Sequence, residues 1–192
     1  MNVLLQEVLS LIAKRIISPV TLVAIDGHSA AGKTSLAKTV ERSFPDVATV
    51  HVDDFYRVMN SSDRVQLDAK GGYELYYDWQ RLGQDVLEPL SQGQAGSYQC
   101  YDWTKNKLSN ETVTVEPRGV VIIEGCYSAR PELRHYYHAR ILVETSAEKR
   151  LERQRERANA SDEWLERWDT AERYYMEHLQ PQSYVDLIVK GA

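Results

Sequence analysis

Hydrophobic residues in this chain follow two spacings, one helical and one continuous. Residues 3–17 place apolar side chains three or four positions apart, which predicts an amphipathic helix. Residues 20–25 are continuously apolar and rich in β-branched side chains, which predicts a buried strand. Further apolar runs predict strands at 47–52, 120–123, 140–143 and 184–189. Because strands alternate with helices, we expect an α/β fold: a doubly wound, five-stranded parallel sheet with helices on both faces.

The segments between these strands carry weaker patterns. Residues 58–72 are polar and end in a glycine pair, which predicts a mobile loop. Apolar residues that share one face predict a helix from about Asp78 to Leu90. Two β-rich pieces with a polar turn between them predict a hairpin insertion at about residues 91–118.

Two helices are expected near the end of the chain. Thr145 and Glu148 have the spacing of a capping box, which predicts that a helix opens here and covers about residues 146–160. A second helix is predicted over residues 161–179, and its apolar stripe indicates core packing.

A glycine-rich motif lies between the first strand and the next helix. Residues 27–34 match G-x-x-x-x-G-K-[ST], and the flanking strand and helix are the context in which this pattern binds phosphate. The loop N–H groups and the helix start attract anions, Lys33 can reach the outer phosphates, and the Thr34 hydroxyl can ligate Mg²⁺. The residues expected to bind the nucleotide phosphates are Gly27, His28, Ser29, Ala30, Ala31, Gly32, Lys33, Thr34 and Ser35.

Carboxylates stand at the predicted ends of the strands, where ligands bind in such sheets. Glu124 follows four apolar residues and is expected to hold Mg²⁺ through a water, with Thr34 as its partner, because Mg²⁺ keeps several waters and takes only one or two carboxylates. Asp53 ends the second strand, and phosphoryl transfer needs a carboxylate that accepts the proton of the attacking hydroxyl. The adjacent Asp54 points in a different direction, so only one of the two can be this base, and we favour Asp53.

Three arginines lie within about 60° of one another on the helix predicted after residue 146, at ~100° per residue. They are Arg150, Arg153 and Arg157, and the glutamates of the same helix lie on the opposite side. A sorted cationic stripe near a phosphate loop is typical of a lid that stabilises the charge of a transferring group. The alternative is a solvated face held by ion pairs within the helix.

The composition restricts the class of protein. A chain of 192 residues, 43% hydrophobic and 27% charged, is enough for a single domain over residues 1–192 with a real core. The net charge of −5 argues against a general polyanion-binding surface, so nucleic acid is not an expected partner. Charged residues interrupt the N-terminal apolar stretch, which excludes a membrane span there. Cys100 and Cys126 form no metal spacing or disulfide framework, which fits the cytoplasm.

Several of these motifs together resemble the uridine kinase-like family of phosphate-loop kinases, which includes nicotinamide riboside kinases and is related to phosphoribulokinase and pantothenate kinase. The resemblance spans nearly the whole chain. The residues that carry it are Asp26-Gly-His-Ser-Ala-Ala-Gly-Lys-Thr34, Asp53-Asp-Phe-Tyr56, Tyr101-Asp-Trp103, Val121-Ile-Ile-Glu-Gly125, Arg150-Leu-Glu-Arg153 leading to Arg157, and Val185-Asp-Leu-Ile-Val189.

This resemblance implies transfer of the γ-phosphate of ATP to a hydroxyl group, usually the 5′-hydroxyl of a nucleoside. It supports Asp53 as the base and implies that Asp78 holds the ribose hydroxyls, although a helix N-cap is the alternative for Asp78. Tyr56, Tyr101 and Trp103 would line the acceptor pocket, as aromatic side chains that stack on a base do.

The chain departs from the uridine kinase pattern Y-D-F-x-x-H-x-R. Asn106 stands in place of the histidine that helps to read the pyrimidine, and Leu108 in place of the arginine. We expect Asn106 and Arg150 to contribute to acceptor binding, but pyrimidine specificity does not follow from the resemblance.

Other functions remain open from the sequence alone. The acceptor could be another alcohol, such as nicotinamide riboside or a pantothenate-like compound. A nucleoside monophosphate kinase would need a second arginine cluster, for which Arg57 and Arg64 are the candidates. A catalytically silent ATP-binding module is the alternative from another class. The family is often oligomeric, so a homo-oligomer is compatible with the resemblance.

Overall fold

Strands and helices alternate through residues 3–16, 19–157 and 160–191, which are the residues that the computed structural model describes. The strands are β1 Val20–Asp26, β2 Val47–His51, β3 Gly96–Asp102, β4 Lys107–Val115, β5 Gly119–Glu124, β6 Ala139–Glu144 and β7 Leu187–Lys190. The α-helices are α1 Val3–Arg15, α2 Lys33–Glu41, α3 Ser61–Arg64, α4 Ala69–Leu75, α5 Trp79–Leu82, α6 Glu88–Ser91, α7 Ala147–Arg157 and α8 Asp162–Tyr174. A π-helical turn, Gly83–Leu87, joins α5 to α6, and another, Tyr175–Leu179, extends α8.

The main sheet has five parallel strands in the order β2-β5-β1-β6-β7, which confirms the predicted fold class. Strands β5 and β2 lie on one side of β1, and strands β6 and β7 lie on the other side. The end of β1 is therefore the switch point at which such sheets bind ligands. Glu124 pairs in register with Ile25 on one side and with His51 on the other. This register places Glu124 between the phosphate loop and the acidic end of β2.

The two faces of β1 enter separate cores, because successive side chains on a strand point to opposite faces. Leu22 and Ala24 pack with the helical stretch from α5 to α6, whereas Val23 and Ile25 pack with α1 and α2. All four of these side chains are fully buried. None of the helices in the described part of the chain has the length and apolar character that a membrane span requires.

The hairpin insertion is confirmed as the antiparallel pair β3 and β4. The second strand, Lys107–Val115, lies within the predicted insertion. Tyr98 and Val115 are buried in the core beside α5 and α6, so the base of the hairpin is fixed to the domain. Asn106, at the turn, has a left-handed backbone with φ 48.

The prediction of a loop over residues 58–72 is wrong, because the segment contains α3 and most of α4. Asp68 caps α4 by accepting a hydrogen bond from the Gly71 N–H at 2.7 Å. A Cβ atom on Gly72 would lie 2.7 Å from the Tyr76 ring and 2.8 Å from Ala171 Cβ. Gly72 therefore permits close packing of α4 against α8, rather than supplying loop flexibility.

The predicted capping box at Thr145 is also wrong. Helix α7 begins at Ala147, and the Ser146 hydroxyl accepts a hydrogen bond from the Lys149 N–H at 3.5 Å. The Thr145 hydroxyl instead donates to the Ala31 carbonyl at 2.8 Å. Thr145 thus joins the start of α7 to the phosphate loop, a long-range contact that the local pattern does not reveal.

Three predicted boundaries need adjustment. Strand β7 starts at Leu187 rather than at residue 184, because a turn of 3-10 helix, Pro181–Ser183, comes before it. Helix α1 ends at Arg15, and residue 17 of its predicted range lies outside the described residues. Residues 158 and 159 of the predicted lid segment lie outside them as well.

The contact between α4 and α8 predicts the effect of adding one methyl group. We expect Gly72→Ala to lower the free energy of unfolding by about 1–3 kcal/mol, because Tyr76 and Ala171 would have to move. Gly83→Ala is the matched control, since its new Cβ would meet nothing closer than Leu133 at 3.5 Å. Chemical denaturation of both variants would measure the difference, and equal stabilities would contradict close packing at Gly72.

Candidate active site

A buried carboxylate fixes the start of the phosphate loop. Asp26, fully buried at the end of β1, accepts hydrogen bonds from the N–H groups of Gly27 at 2.6 Å, Tyr127 at 2.9 Å and Ala129 at 2.9 Å. The Tyr175 hydroxyl donates to the same carboxylate at 2.8 Å. Asp26 thereby joins the loops that follow β1 and β5 to the extension of α8.

The phosphate loop has the backbone that its glycines allow. Gly27 has φ 143, and a Cβ there would lie 2.3 Å from the Val143 carbonyl oxygen. Gly32, with φ 107, is the N-cap of α2, so the loop leads directly into the helix N-terminus. The Nζ of Lys33 donates to the carbonyls of Gly27 at 3.0 Å and His28 at 2.8 Å, which keeps the ammonium group inside the loop.

Thr34 and Glu124 meet at the predicted metal position. The Thr34 hydroxyl donates to Glu124 Oε1 at 3.0 Å, and His51 Nδ1 lies 2.7 Å from the same oxygen. Burial favours a higher pKa for Glu124, but the hydrogen bond with His51 and the charge of Lys33 hold its pKa below the usual range. Glu124 therefore presents a carboxylate of lowered pKa at the edge of the loop, beside the Thr34 hydroxyl.

The two adjacent aspartates diverge, as predicted. A turn of 3-10 helix, Val52–Phe55, directs Asp53 to the Tyr77 hydroxyl, which donates to its Oδ1 at 3.0 Å. Asp54 instead accepts from the Tyr98 hydroxyl at 3.1 Å and faces the hairpin. Asp53 is accessible to solvent but lies in a cleft, and desolvation by the cleft walls raises the pKa of its carboxyl.

The loop and the strand ends enclose one small pocket of about 100 Å³. Lys33, Thr34, Asp53, Glu124 and Arg157 all line it. The structure thus brings together side chains that are up to 124 positions apart in the sequence and have the charges that a metal-bound phosphate requires.

A larger cavity of about 440 Å³ adjoins this pocket. The two share Ala30, Gly32, Ser35 and Arg157, so they meet along the phosphate loop and the start of α2. The larger cavity extends to apolar side chains of α1, α2, β6 and β7, which are Leu5, Val8, Leu36, Val143 and Val189, and to the cationic Arg153.

The arginines of α7 diverge, although the sequence predicts one stripe. Arg150 is buried and pairs with Asp169 of α8 at 3.1 Å. Arg153 donates to the Ala30 carbonyl at 3.0 Å, and Arg157 lines the small pocket. Of the three, Arg157 is therefore the one that lines the small pocket, and Arg150 connects α7 to α8.

The predicted acceptor aromatics form a stack. Tyr56 is buried, and the Trp103 ring stacks on it with centroids 4.5 Å apart. The guanidinium of Arg64 lies over the Tyr56 ring at 4.4 Å, and the Trp168 indole N–H donates to the Tyr56 hydroxyl at 3.1 Å. Trp103 is 52% exposed, so this stack is open to solvent at the hairpin.

The polar residues predicted to read the acceptor already have protein partners. Asn106 accepts from the Tyr101 hydroxyl at 2.8 Å and donates to the Met59 carbonyl at 2.9 Å. These contacts connect the hairpin turn to the segment after β2. Asp78 caps α5 by accepting from the Arg81 N–H at 3.2 Å, and it pairs with Arg57 at 3.3 Å.

Sequence reasoning missed one acidic residue at the loop. His28 Nδ1 lies 3.1 Å from Oε2 of Glu172, a buried residue of α8. Glu172 falls between Ala171 and Tyr175, which belong to the apolar stripe of that helix. A carboxylate on the buried face of an amphipathic helix was the signal that could have revealed it.

The fold and this site together define a phosphate-loop kinase. Residues 22–191 match the model of the Phosphoribulokinase / Uridine kinase family, and the chain belongs to this family. It is a small-molecule kinase.

Relatives of known sequence and structure agree with this assignment. The uridine kinase of Halalkalibacterium halodurans is 27% identical over 183 residues, which cover 88% of this chain and 84% of the relative. The uridine kinase of Macrococcus caseolyticus is 26% identical over 183 residues, 90% of this chain and 88% of the relative. A solved structure described as a possible uridine kinase from Bacillus stearothermophilus shares the fold, with a TM-score of 0.73 and 20% identity over 96% of both chains.

The contacts of Asp26 predict a strong dependence of stability on its carboxylate. We expect Asp26→Asn to lower the free energy of unfolding by about 3 kcal/mol, because the new NH₂ group would face donors in a buried position. Asp46→Asn, which alters an exposed pair with Arg118, should change stability by less than about 0.5 kcal/mol. Chemical denaturation would compare the two, and a change at Asp26 as small as that at Asp46 would contradict the role of Asp26.

Proposed function

We propose that this kinase transfers the γ-phosphate of ATP, in the presence of Mg²⁺, to a hydroxyl group of a small, nucleoside-like acceptor. The observation that carries the proposal is the convergence of Lys33, Thr34, Glu124 and Asp53 on one pocket at the end of the parallel sheet. A loop for phosphates, a pair of metal ligands and a carboxylate base are the parts that phosphoryl transfer needs.

The donor would occupy the two adjoining cavities. Its phosphates would bind the N–H groups of the loop and the N-terminus of α2, with Lys33 turning from the loop carbonyls towards them. Its base would lie in the apolar cavity of about 440 Å³ between α1, α2 and β7. This orientation follows from the residues that the two cavities share.

Thr34 and Glu124 fit Mg²⁺. Their oxygens are 3.0 Å apart. A hydroxyl and a carboxylate are hard oxygen donors of the kind that Mg²⁺ prefers. When bound there, the ion would neutralise charge on the phosphate oxygens. His51, hydrogen-bonded to Glu124, would keep the carboxylate oriented.

Asp53 would accept the proton of the attacking hydroxyl as the acceptor oxygen forms its bond to the γ-phosphorus and the bond between that phosphorus and the bridging oxygen breaks, with ADP as the leaving group. Desolvation in the cleft raises the pKa of Asp53, which makes its carboxylate a better base than an ordinary aspartate. The Tyr77 hydroxyl, 3.0 Å from Oδ1, would fix its orientation. Arg157 would stabilise the transferring charge from α7, which we propose acts as the lid of a single kinase domain.

The acceptor would bind between Asp53 and the hairpin. The exposed Trp103, which stacks on the buried Tyr56, offers a surface for a planar base, with Tyr101 beside it. Asp78, still partly exposed at the start of α5, could hold the ribose hydroxyls. Arg150 would take part in binding only after leaving Asp169.

One observation favours an acceptor other than a pyrimidine nucleoside. The oxygen and the nitrogen of the Asn106 side-chain amide both form hydrogen bonds within the protein, to Tyr101 and to the Met59 carbonyl. Because Asn106 is already hydrogen-bonded to the protein, it does not take over the contact with the pyrimidine that the histidine makes in uridine kinases. A different alcohol, such as nicotinamide riboside or a pantothenate-like compound, is therefore the second candidate.

A nucleoside monophosphate is a poorer acceptor for this site. Its phosphate would need free arginines near the acceptor. Arg57 pairs with Asp78 at 3.3 Å. Arg64 stacks on Tyr56 and donates to the Arg57 carbonyl at 2.6 Å.

The role of Asp53 predicts that binding and transfer can be separated. We expect Asp53→Asn to bind ATP as the parent does and to lose transfer by about 100-fold or more, because the amide cannot accept the proton. Asp54→Asn is the matched control, since Asp54 faces Tyr98, and it should keep the parental rate within about threefold. Calorimetric ATP binding and acceptor-dependent ADP release would measure the two effects. Parental turnover in Asp53→Asn would remove Asp53 from this role.

A further inference from the structure

Among the described residues, the side-chain carboxylate of Glu172 has four polar contacts, with His28, Ser29 and Cys126. Its Oε2 accepts from the Ser29 N–H at 2.8 Å and lies 3.1 Å from His28 Nδ1. Its Oε1 accepts from the Ser29 hydroxyl and lies 3.4 Å from the Cys126 sulfur. Ser29 and Cys126 line the small pocket, so Glu172 contacts the wall of this pocket from the side of α8.

Glu172 is buried, with 3% of its surface exposed. Burial favours the neutral acid, but the hydrogen bond and charge of His28, with Lys33 and Ser29, hold the pKa of Glu172 below its usual range. A buried carboxylate is costly to desolvate and is weak support for a fold in general. Three of its four polar contacts are with His28 and Ser29 of the phosphate loop, which points to a role in the site.

Helix α8, which carries Glu172, also contacts α7, the proposed lid. Asp169, one turn before Glu172, pairs with Arg150 of α7 at 3.1 Å. Arg153 of α7 bonds to the Ala30 carbonyl in the loop. Helix α8 therefore contacts both the loop and the helix that covers it, and Glu172 is its contact with the loop.

We propose that Glu172 is a positioning residue that holds His28 and Ser29 so that the phosphate loop is ready to bind the donor. The inference rests on the proposed function, because the donor is the nucleotide that the loop would bind. A loop held in its binding conformation loses less conformational freedom when the ligand arrives, and the affinity is higher for that reason.

The proposal concerns the position of two oxygen atoms rather than the negative charge. Glu172→Gln keeps an acceptor for the Ser29 N–H and offers its NH₂ group to the Ser29 hydroxyl, so it preserves the geometry without the charge. Glu172→Asp keeps the charge but shortens the side chain by one methylene, which withdraws the carboxylate from Ser29. The two variants therefore separate position from charge.

The test is calorimetric titration of the full-length parent and variants with Mg²⁺-ATP. We expect Glu172→Asp to bind at least about tenfold more weakly, since a misplacement of about 1 Å at a site is costly, and Glu172→Gln to stay within about threefold of the parent. Glu166→Gln, on the exposed side of α8, is the control and should bind as the parent does. In steady-state assays the loss in Glu172→Asp should appear in the KM of the donor, with the KM of the acceptor unchanged.

The opposite results overturn the proposal. Parental affinity in Glu172→Asp would show that position does not matter, and a change confined to Glu172→Gln would show that charge is the relevant property. A thermal unfolding curve of each variant without ligand identifies a merely structural role: lower stability with parental ATP affinity would contradict positioning. A parent that does not bind ATP would instead overturn the proposed function, and this inference with it.

Discussion

The buried carboxylate of Asp26 is the interaction on which the site depends. Its two oxygens accept four hydrogen bonds, from Gly27, Tyr127, Ala129 and Tyr175. A charge without solvent is stable only when its hydrogen-bonding capacity is satisfied, so the four donors cannot move independently. The loop after β1, the loop after β5 and the end of α8 therefore keep fixed relative positions.

This constraint explains how a site assembles from distant segments. The loop that Asp26 fixes begins at Gly27, and the register of β5 places Glu124 beside it. Strand β2 pairs in parallel with β5, so Asp53, which follows β2, lies at the same edge of the sheet. In the account proposed here, the donor side is held by buried contacts, whereas the acceptor side consists of Asp53 and Trp103, which solvent reaches. A site that transfers a group between two ligands needs such an open side for the second ligand.

The sequence predicted the parts of the molecule that are encoded locally. Apolar runs identified the strands of the sheet, most clearly the central strands β1, β5 and β6, which are buried on both faces. The glycine motif and the strand ends identified Lys33, Thr34, Asp53 and Glu124, which the structure brings to one pocket. Their convergence follows from topology, since parallel strands present their carboxyl ends at the same edge.

The contacts between distant segments were not predictable. Nothing near Glu172 in the sequence indicates that it accepts a hydrogen bond from Ser29. The spacing of the arginines on α7 likewise does not show that Arg150 forms a salt bridge with Asp169. The glycine pair in α4 had the pattern of a loop. The reason for a glycine there becomes visible only in the fold, where Gly72 packs against Ala171. The engagement of Asn106 with Met59 likewise depends on where the hairpin turn lies in space. Local patterns record propensity and burial, whereas these contacts depend on the completed fold.

The most direct test of the proposed function is the release of ADP from ATP, with and without Mg²⁺, across a panel of nucleosides, nicotinamide riboside and small alcohol vitamins. We expect at least one acceptor to raise ADP release well above the acceptor-free rate. The phosphorylated acceptor should form in an amount equal to the additional ADP, and removal of Mg²⁺ should abolish both. ADP release that no acceptor increases, in a protein that binds ATP, would contradict the proposed function.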